Sequence, residues 1–420
     1  MQGLRPFDSS QDKPRPLVRR FILSGRSRRA DLSRRSPASA GRRRTERNAA
    51  GADVPGDAAE SRCGMQDRLV RERILCVKTH AIGDALMVTP ALRVLRRANP
   101  LAEIVVLTGG QCADVLGGNP AVDDVIVADE SKLQRADRRE LTDLLRGLRR
   151  GRFSRAYVFQ RSHALHFLLF LARVPNRVGL SYSPWAPFLT RVVVWPSGSR
   201  AYAGDMYLRV VGGRGSEAAW PLSFPLSERD ELAARDLLER EGVGGDEDIV
   251  ALAPGGGRNP RDYVPHKRWE PRKFAQVADT LAAETGCRVV VVGAPDDLPC
   301  SLAVRQHANT QVVDLCGRTT LRTLAGVLRR SKLLITNDSA PLHIAVAVET
   351  PSVVLFGPSD PRALLPPGSM IHCAVQSSAP CSPCYANEPF PGCDDWICMD
   401  RISVADVLGT ARRLLEGSRT

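Results

Sequence analysis

Short unbroken apolar runs alternate with helical stretches along this chain of 420 residues, in two separate series. In the first, Arg73-Ile-Leu-Cys-Val-Lys78 precedes apolar residues at helical spacing from Ala85 to Ala98. Glu103-Ile-Val-Val-Leu-Thr108, Asp124-Val-Ile-Val-Ala128 and Ala156-Tyr-Val-Phe159 follow, with a helix over 140–150. The second series runs through Asp248-Ile-Val-Ala-Leu-Ala253 and then 288–292, 311–315, 333–335 and 352–356, with helices over 271–285 and 321–330. A continuous apolar strand is buried on both faces, and strand–helix alternation marks a parallel sheet covered by helices. The pattern predicts an α/β chain of two Rossmann-like halves facing a central cleft. Ligands of such sheets bind beyond the carboxyl ends of the strands, so the loops leaving these runs are where chemistry is sought.

Residues 1–70 read as a disordered basic tail, because 1–64 hold 15 Lys/Arg against 7 acidic residues and little periodic apolar content. A nucleic-acid arm and a transit peptide are the other readings, and the scattered acids oppose the second. Met65 stands just before the first strand as an alternative start. The net charge is +13, but residues 65–420 carry only +5 of it, so the folded part gives no reason to expect nucleic acid. Residues 71–225 form the first half, 226–403 the second, and a helix over 404–420 closes the chain. Residues 181–201, rich in Pro, Trp and Ser, read as irregular. No apolar run reaches the 18 residues of a spanning helix, and no secretory signal is visible. Cys76, Cys287 and Cys316 are single and sit in apolar runs, as free thiols of a reducing cytoplasm do.

Three junctions carry polar groups. Gly83-Asp84 follows the first strand on the turn into a helix, where the dipole favours a carboxylate. Asp84 reads as a helix cap or as a general base facing the cleft. Pro254-Gly255-Gly256-Gly257 lets backbone approach a ligand closely, but no Gly-Lys-Ser/Thr follows, which opposes a P-loop. His266-Lys267-Arg268-Trp269 then places two cations beside that loop, as a solvated turn or as a clamp on a leaving diphosphate. Thr336-Asn-Asp-Ser-Ala-Pro-Leu-His343 joins a buried strand to a helix over 342–348, with Asp338 or Ser339 as its cap. Free N–H groups at such a start bind phosphate.

Together, Ile82-Gly-Asp84 with Thr89-Pro-Ala-Leu92, the Lys267–Trp269 motif, Asn337-Asp-Ser-Ala-Pro-Leu-His343, Pro351 and Phe356-Gly-Pro358 resemble the glycosyltransferase family 9 heptosyltransferases in order and spacing. The resemblance runs from about Arg73 to about Leu408. It implies a GT-B fold with an N-terminal acceptor domain and a C-terminal nucleotide-sugar domain. It implies an ADP-heptose donor, inversion at the anomeric carbon and no required metal or other cofactor. Asp84 matches the family's base. Lys267 matches its diphosphate lysine, with Arg268 beside it. Asp338, Ser339 and Ala340 match the donor loop, with His343 at the same helix start, and Gly255, Gly256 and Gly257 match the upstream phosphate loop less closely. The family usually has Gly at Ala340 and a smaller residue at His80. Arg161, Ser162 and His163 resemble acceptor-side residues; surface polar positions are the other reading. The expected partners are a nucleotide-sugar donor and a glycan or lipid-linked glycan acceptor, met in the cytoplasm or at the inner face of the cytoplasmic membrane by peripheral contact.

Cys381, Cys384, Cys393 and Cys398 form the spacing C-x2-C-x8-C-x4-C. Four thiolates suit a structural zinc, but the second half lacks the tight C-x2-C pairing of a zinc ribbon, and free thiols or a disulfide are the other readings. Transfer to a secondary metabolite or another surface glycan, a GT-B-like sugar-nucleotide epimerase, and a non-catalytic nucleotide-binding protein are the alternatives in function. The closing helix is expected to pack back across both domains.

Overall fold

The computed structural model describes residues 71–213, 221–258, 263–385 and 390–417; the tail expected over 1–70 lies outside them. The first half contains β1 (Arg73–Val77), α1 (Ile82–Ala98), β2 (Glu103–Gly109), α2 (Gly110–Leu116), β3 (Asp124–Ala128), α3 (Glu130–Gln134), α4 (Arg138–Gly151), β4 (Arg155–Val158), α5 (His163–Leu171), β5 (Asn176–Ser181), β6 (Arg191–Val194) and α6 (Ala203–Val210). The second contains α7 (Glu228–Arg240), β7 (Ile249–Ala253), α8 (Pro271–Thr285), β8 (Arg288–Val291), α9 (Leu298–His307), β9 (Val312–Asp314), α10 (Leu321–Arg330), β10 (Leu333–Asn337), α11 (Ala340–Ala347), β11 (Ser352–Phe356), α12 (Pro361–Leu364), β12 (His372–Gln376), α13 (Ile397–Asp400) and α14 (Val404–Gly417).

Each half is a six-stranded sheet, in the orders β3-β2-β1-β4-β5-β6 and β12-β11-β10-β7-β8-β9. Every ladder is parallel. In each sheet the chain lays strands to one side of its first strand, then returns to lay the rest on the other. The reversal falls between β1 and β4 and between β7 and β10, which makes those gaps the topological switch points.

Side-chain alternation sends Ile74 and Cys76 of β1 into one core with α1 and α6, and Leu75 and Val77 into another with α4 and α5. In the second sheet Val250 and Leu252 face α8 and α14, whereas Ile249 and Ala251 face α10. One core is continuous between the halves, where α1 packs on α11. Each leucine fully buried there, such as Leu86 or Leu342 at 0% exposure, contributes roughly 1.5–3 kcal/mol relative to an exposed one.

Four expectations change. The segment 181–201 is not wholly irregular, since β6 forms an edge strand within it and β5 precedes it. A sixth strand, β12, extends the second sheet beyond 352–356. The first helix starts at Ile82 rather than Ala85, which moves Asp84 inside it. The closing helix does not span both halves: α14 packs on α8 and on β10, β11 and β12. Its stripe Val407, Leu408, Ala411 and Leu414 completes the core of the second half, because that sheet face has open apolar area beside α8. Among the described residues no helix is long and apolar enough to cross a membrane.

Candidate active site

Lys78 follows β1, its backbone N–H donating to Leu107 O at 3.1 Å, and its side chain is buried. Ala81 then turns the chain with φ 65° and precedes α1 without a side-chain cap. Asp84 is therefore the third helical residue, and its carboxylate is not used as a cap. Oδ2 accepts from Lys78 Nζ at 2.7 Å, and Lys78 Nζ lies 5.8 Å from the ring of the buried Tyr207 on α6. Burial opposes ionisation of Asp84, but the Lys78 ammonium outweighs it and holds the carboxyl below its usual range. The phenol of Tyr207 is pushed up by burial and by Asp84, so it stays neutral. With 31% of its side chain exposed, Asp84 is a carboxylate at neutral pH that an incoming hydroxyl can reach.

Gln160, after β4, accepts from Thr79 N at 2.9 Å and so fixes the β1–α1 turn across the switch point. His80 Nδ1 lies 3.3 Å from Glu130 Oε1 on α3. The Arg161 guanidinium stacks 4.3 Å from the Tyr182 ring and 4.7 Å from that of Trp195, and its charge acts on Tyr207. Ser162 is the N-cap of α5, accepting from Leu165 N. His163 is exposed, its ring 5.9 Å from that of His166. Of the four residues expected on the acceptor side, His80 and Arg161 join the electrostatics around Asp84. Ser162 is committed to its helix, and His163 lies on that helix's open side.

The second half builds its site on Asn337, the last residue of β10 and fully buried. Asn337 Oδ1 accepts from Trp269 N at 3.1 Å, and Nδ2 donates to Pro254 O and Gly255 O at 2.9 and 3.0 Å. One amide therefore ties the glycine loop, the Lys267 turn and the α11 start together. Gly256 and Gly257 have φ of 103° and 78°, a region costly for other residues. A Cβ on Gly256 would also stand 2.6 Å from that of Ser339. Asp297 braces the loop by accepting from Gly256 N at 2.9 Å. Arg268 donates to Gly256 O at 2.8 Å and to Asp297 at 3.3 Å, so its guanidinium supports the loop from behind.

Lys267 Nζ donates to Asp338 Oδ2 at 2.6 Å and sits 4.8 Å from the Tyr385 ring. Ser359 Oγ donates to the same oxygen at 2.7 Å. Burial opposes the charge on Asp338, yet Lys267 and Ser359 together keep its carboxyl below the usual range. Ser339 takes the N-cap position of α11 without a side-chain cap bond, and Ala340 is the first helical residue. Pro341 has no N–H and Leu342 N donates to Ser339 O at 3.2 Å, so this helix start offers a phosphate the Ala340 N–H and the positive end of the helix dipole.

His343 lies between the two centres. Burial lowers its pKa against the pull of Asp338 and Asp84, so a neutral imidazole separates two carboxylates. A Cβ on Gly83 would come 2.2 Å from His343 Cδ2; glycine there allows α1 and α11 to meet. Lys78, Tyr207, Asn337 and Asp297 were not singled out from the sequence. Asn337 was readable as part of its motif, whereas the other three need the tertiary fold.

The cysteine-rich segment lies beside the second centre. His266 Nε2 is 2.7 Å from Cys393 O, and its ring is 4.6 Å from that of Trp396. Burial raises the Cys398 thiol, and Cys384, Cys381 and Cys393 raise it further, so the four are neighbours. All four are free thiols, and Cys393 Sγ donates to Asp395 O at 2.7 Å. Among the described residues no group of three or more His, Cys, Asp and Glu is arranged to hold a metal ion.

Comparison with known proteins meets this geometry. Residues 141–391 match the family model for glycosyltransferase family 9 (heptosyltransferase). Lipopolysaccharide heptosyltransferase 2 of Escherichia coli K12 is 27% identical over 300 residues, 69% of this chain and 84% of that protein. A glycosyl transferase family 9 structure from Veillonella parvula superposes with a TM-score of 0.70 at 25% identity, covering 82% of this chain and 97% of that one. The E. coli ADP-heptose lps heptosyltransferase II structure gives 0.66 at 22% identity, covering 83% and 100%. The paired parallel sheets are the GT-B fold of these structures.

Proposed function

The chain belongs to glycosyltransferase family 9, the heptosyltransferases, and on that premise we propose that it transfers a heptose from an ADP-activated donor to a hydroxyl of the lipopolysaccharide core. The observation that carries this reading is the pair of lysine–carboxylate contacts, Lys78–Asp84 and Lys267–Asp338, built at switch points of the two sheets and meeting at His343. The acceptor hydroxyl gives its proton to Asp84 as its oxygen attacks the anomeric carbon. The bond from that carbon to the diphosphate oxygen breaks on the opposite face, which inverts the centre. ADP leaves with the electron pair, and Lys267 and the α11 N-terminus stabilise its charge. No metal enters these steps. The donor is a cytoplasmic nucleotide and the acceptor a lipid-anchored glycan at the inner face of the cytoplasmic membrane.

The test is incubation with ADP-heptose, with and without a heptose-deficient core acceptor. ADP release and gain of one heptosyl group by the acceptor should require both substrates, and the new linkage should have the anomeric configuration opposite to the donor's. Turnover of ADP-heptose with no acceptor, giving an isomer, would instead mark an epimerase.

A further inference from the structure

The face of the first sheet turned away from α1 carries α5, a helix that is apolar on both sides. Leu165, Leu168 and Leu169 enter the core with Leu75 and Val77. Phe167 and Phe170 point the other way and are 43% and 48% exposed. A surface helix ordinarily turns polar residues outward. Phe188, from the connection between β5 and β6, extends the apolar surface, its ring 4.9 and 5.6 Å from those of Phe167 and Phe170. Trp185, in the same connection, is 75% exposed.

The sequence around this surface is rich in arginine, although Arg146 pairs with Asp143, Arg155 with Glu72 and Arg200 with Asp360. Residues 144–204 contain ten arginines and no aspartate or glutamate, whereas residues 65–420 as a whole net only +5. The Arg177 guanidinium lies 5.5 Å from the Phe170 ring. Arg149 Nε donates to Leu171 O at 3.1 Å at the end of α5, and exposed Arg173 follows directly. Cations there suit the helix dipole, but the dipole gives no reason for open Phe167, Phe170 and Trp185. A nucleic-acid duplex, read through its phosphate backbone, would use the arginines and leave the phenyl rings unfilled. A bilayer with anionic headgroups uses both, because aromatic rings settle at headgroup depth while arginines meet lipid phosphates.

We propose that α5 and the 182–190 connection form a docking face for an anionic phospholipid surface. The proposed function supplies only its biological setting, an acceptor held in a membrane; lipid binding itself requires neither donor nor acceptor and is measured without them. The full chain is mixed with vesicles of phosphatidylcholine alone and with added phosphatidylglycerol, some carrying brominated acyl chains. Binding should need the anionic lipid and weaken with salt. Brominated lipid should quench a component of tryptophan emission that Trp185→Phe removes. Phe167→Ser with Phe170→Ser should lower vesicle affinity by at least about tenfold. Should that double variant not fold, the quenching comparison with Trp185→Phe still decides. Absence of binding to anionic vesicles overturns the proposal. So does binding with identical quenching in wild type and Trp185→Phe, which would assign the contact to another surface such as the basic tail. Self-association lost in the double variant, without vesicle binding, would assign the face to a second copy of the chain and equally overturn it.

Discussion

Replacing Lys78 by Met tests how the Asp84 carboxylate is maintained. The change keeps the chain length of a buried side chain and removes only its charge and its 2.7 Å contact with Asp84. Asp84 then keeps the burial that opposes its ionisation and loses the largest opposing influence, so its pKa rises. A hydrogen bond between charged groups contributes about 1.5–3 kcal/mol, which in a chain of this size corresponds to a loss of roughly 2–4 °C in Tm. In the wild type the folded pKa of Asp84 lies below the unfolded one. Its stabilisation is therefore complete above about pH 4 and is lost as pH falls through the lower folded value. In Lys78→Met that contribution shrinks or reverses, so the Tm difference should be larger at pH 7 than at pH 3. The acid limb of kcat/KM should move upward in pH. Adding Asp84→Asn to Lys78→Met should restore most of the lost stability, since no buried charge then lacks a partner. Calorimetry and pH–rate profiles read both effects. An unchanged Tm together with an unmoved acid limb would refute the pairing as the source of the Asp84 charge.

Lys267→Ala should weaken ADP binding about 10- to 100-fold, from the loss of roughly 1.5–3 kcal/mol. It should also lower Tm by stranding buried Asp338. Titration calorimetry with ADP would show unchanged affinity if Lys267 served only Asp338. Gly83→Ala places a Cβ 2.2 Å from His343 Cδ2, and such overpacking costs about 1–3 kcal/mol. Both Tm and transfer rate should fall, and a normal Tm would show that α1 and α11 separate easily.

The sequence revealed those parts of the site that chain-local signals mark. Asp84, Gly255–Gly257 and Asp338 each follow an apolar strand at a glycine or a helix start, and Lys267 stands in the turn just before α8, so chain-local signals could mark all of them. Lys78 could not, because a lysine ending an apolar run looks like a solvent-facing terminus; only α6, which brings Tyr207 over it, makes it a buried partner. Asp297 braces a loop 41 residues away, a distance that no local pattern encodes. His343 appeared to pack at a helix start, and it does, but the helix it meets is α1 of the other half. The strands β5 and β6 were obscured by Arg, Ser and Gly, which half-buried positions near a sheet edge tolerate. The amphipathic stripe of α14 was legible, while the sheet it covers was not, since both sheets offer apolar faces.

The most direct test of the account is transfer by Asp84→Asn at saturating donor and acceptor. Asparagine preserves the shape and keeps an acceptor for Lys78 Nζ, but it takes no proton at neutral pH. The account predicts transfer reduced about 10²–10⁴-fold, with ADP affinity unchanged because Lys267 and the α11 start are intact. Near-normal transfer by this variant would contradict Asp84 as the base that activates the acceptor.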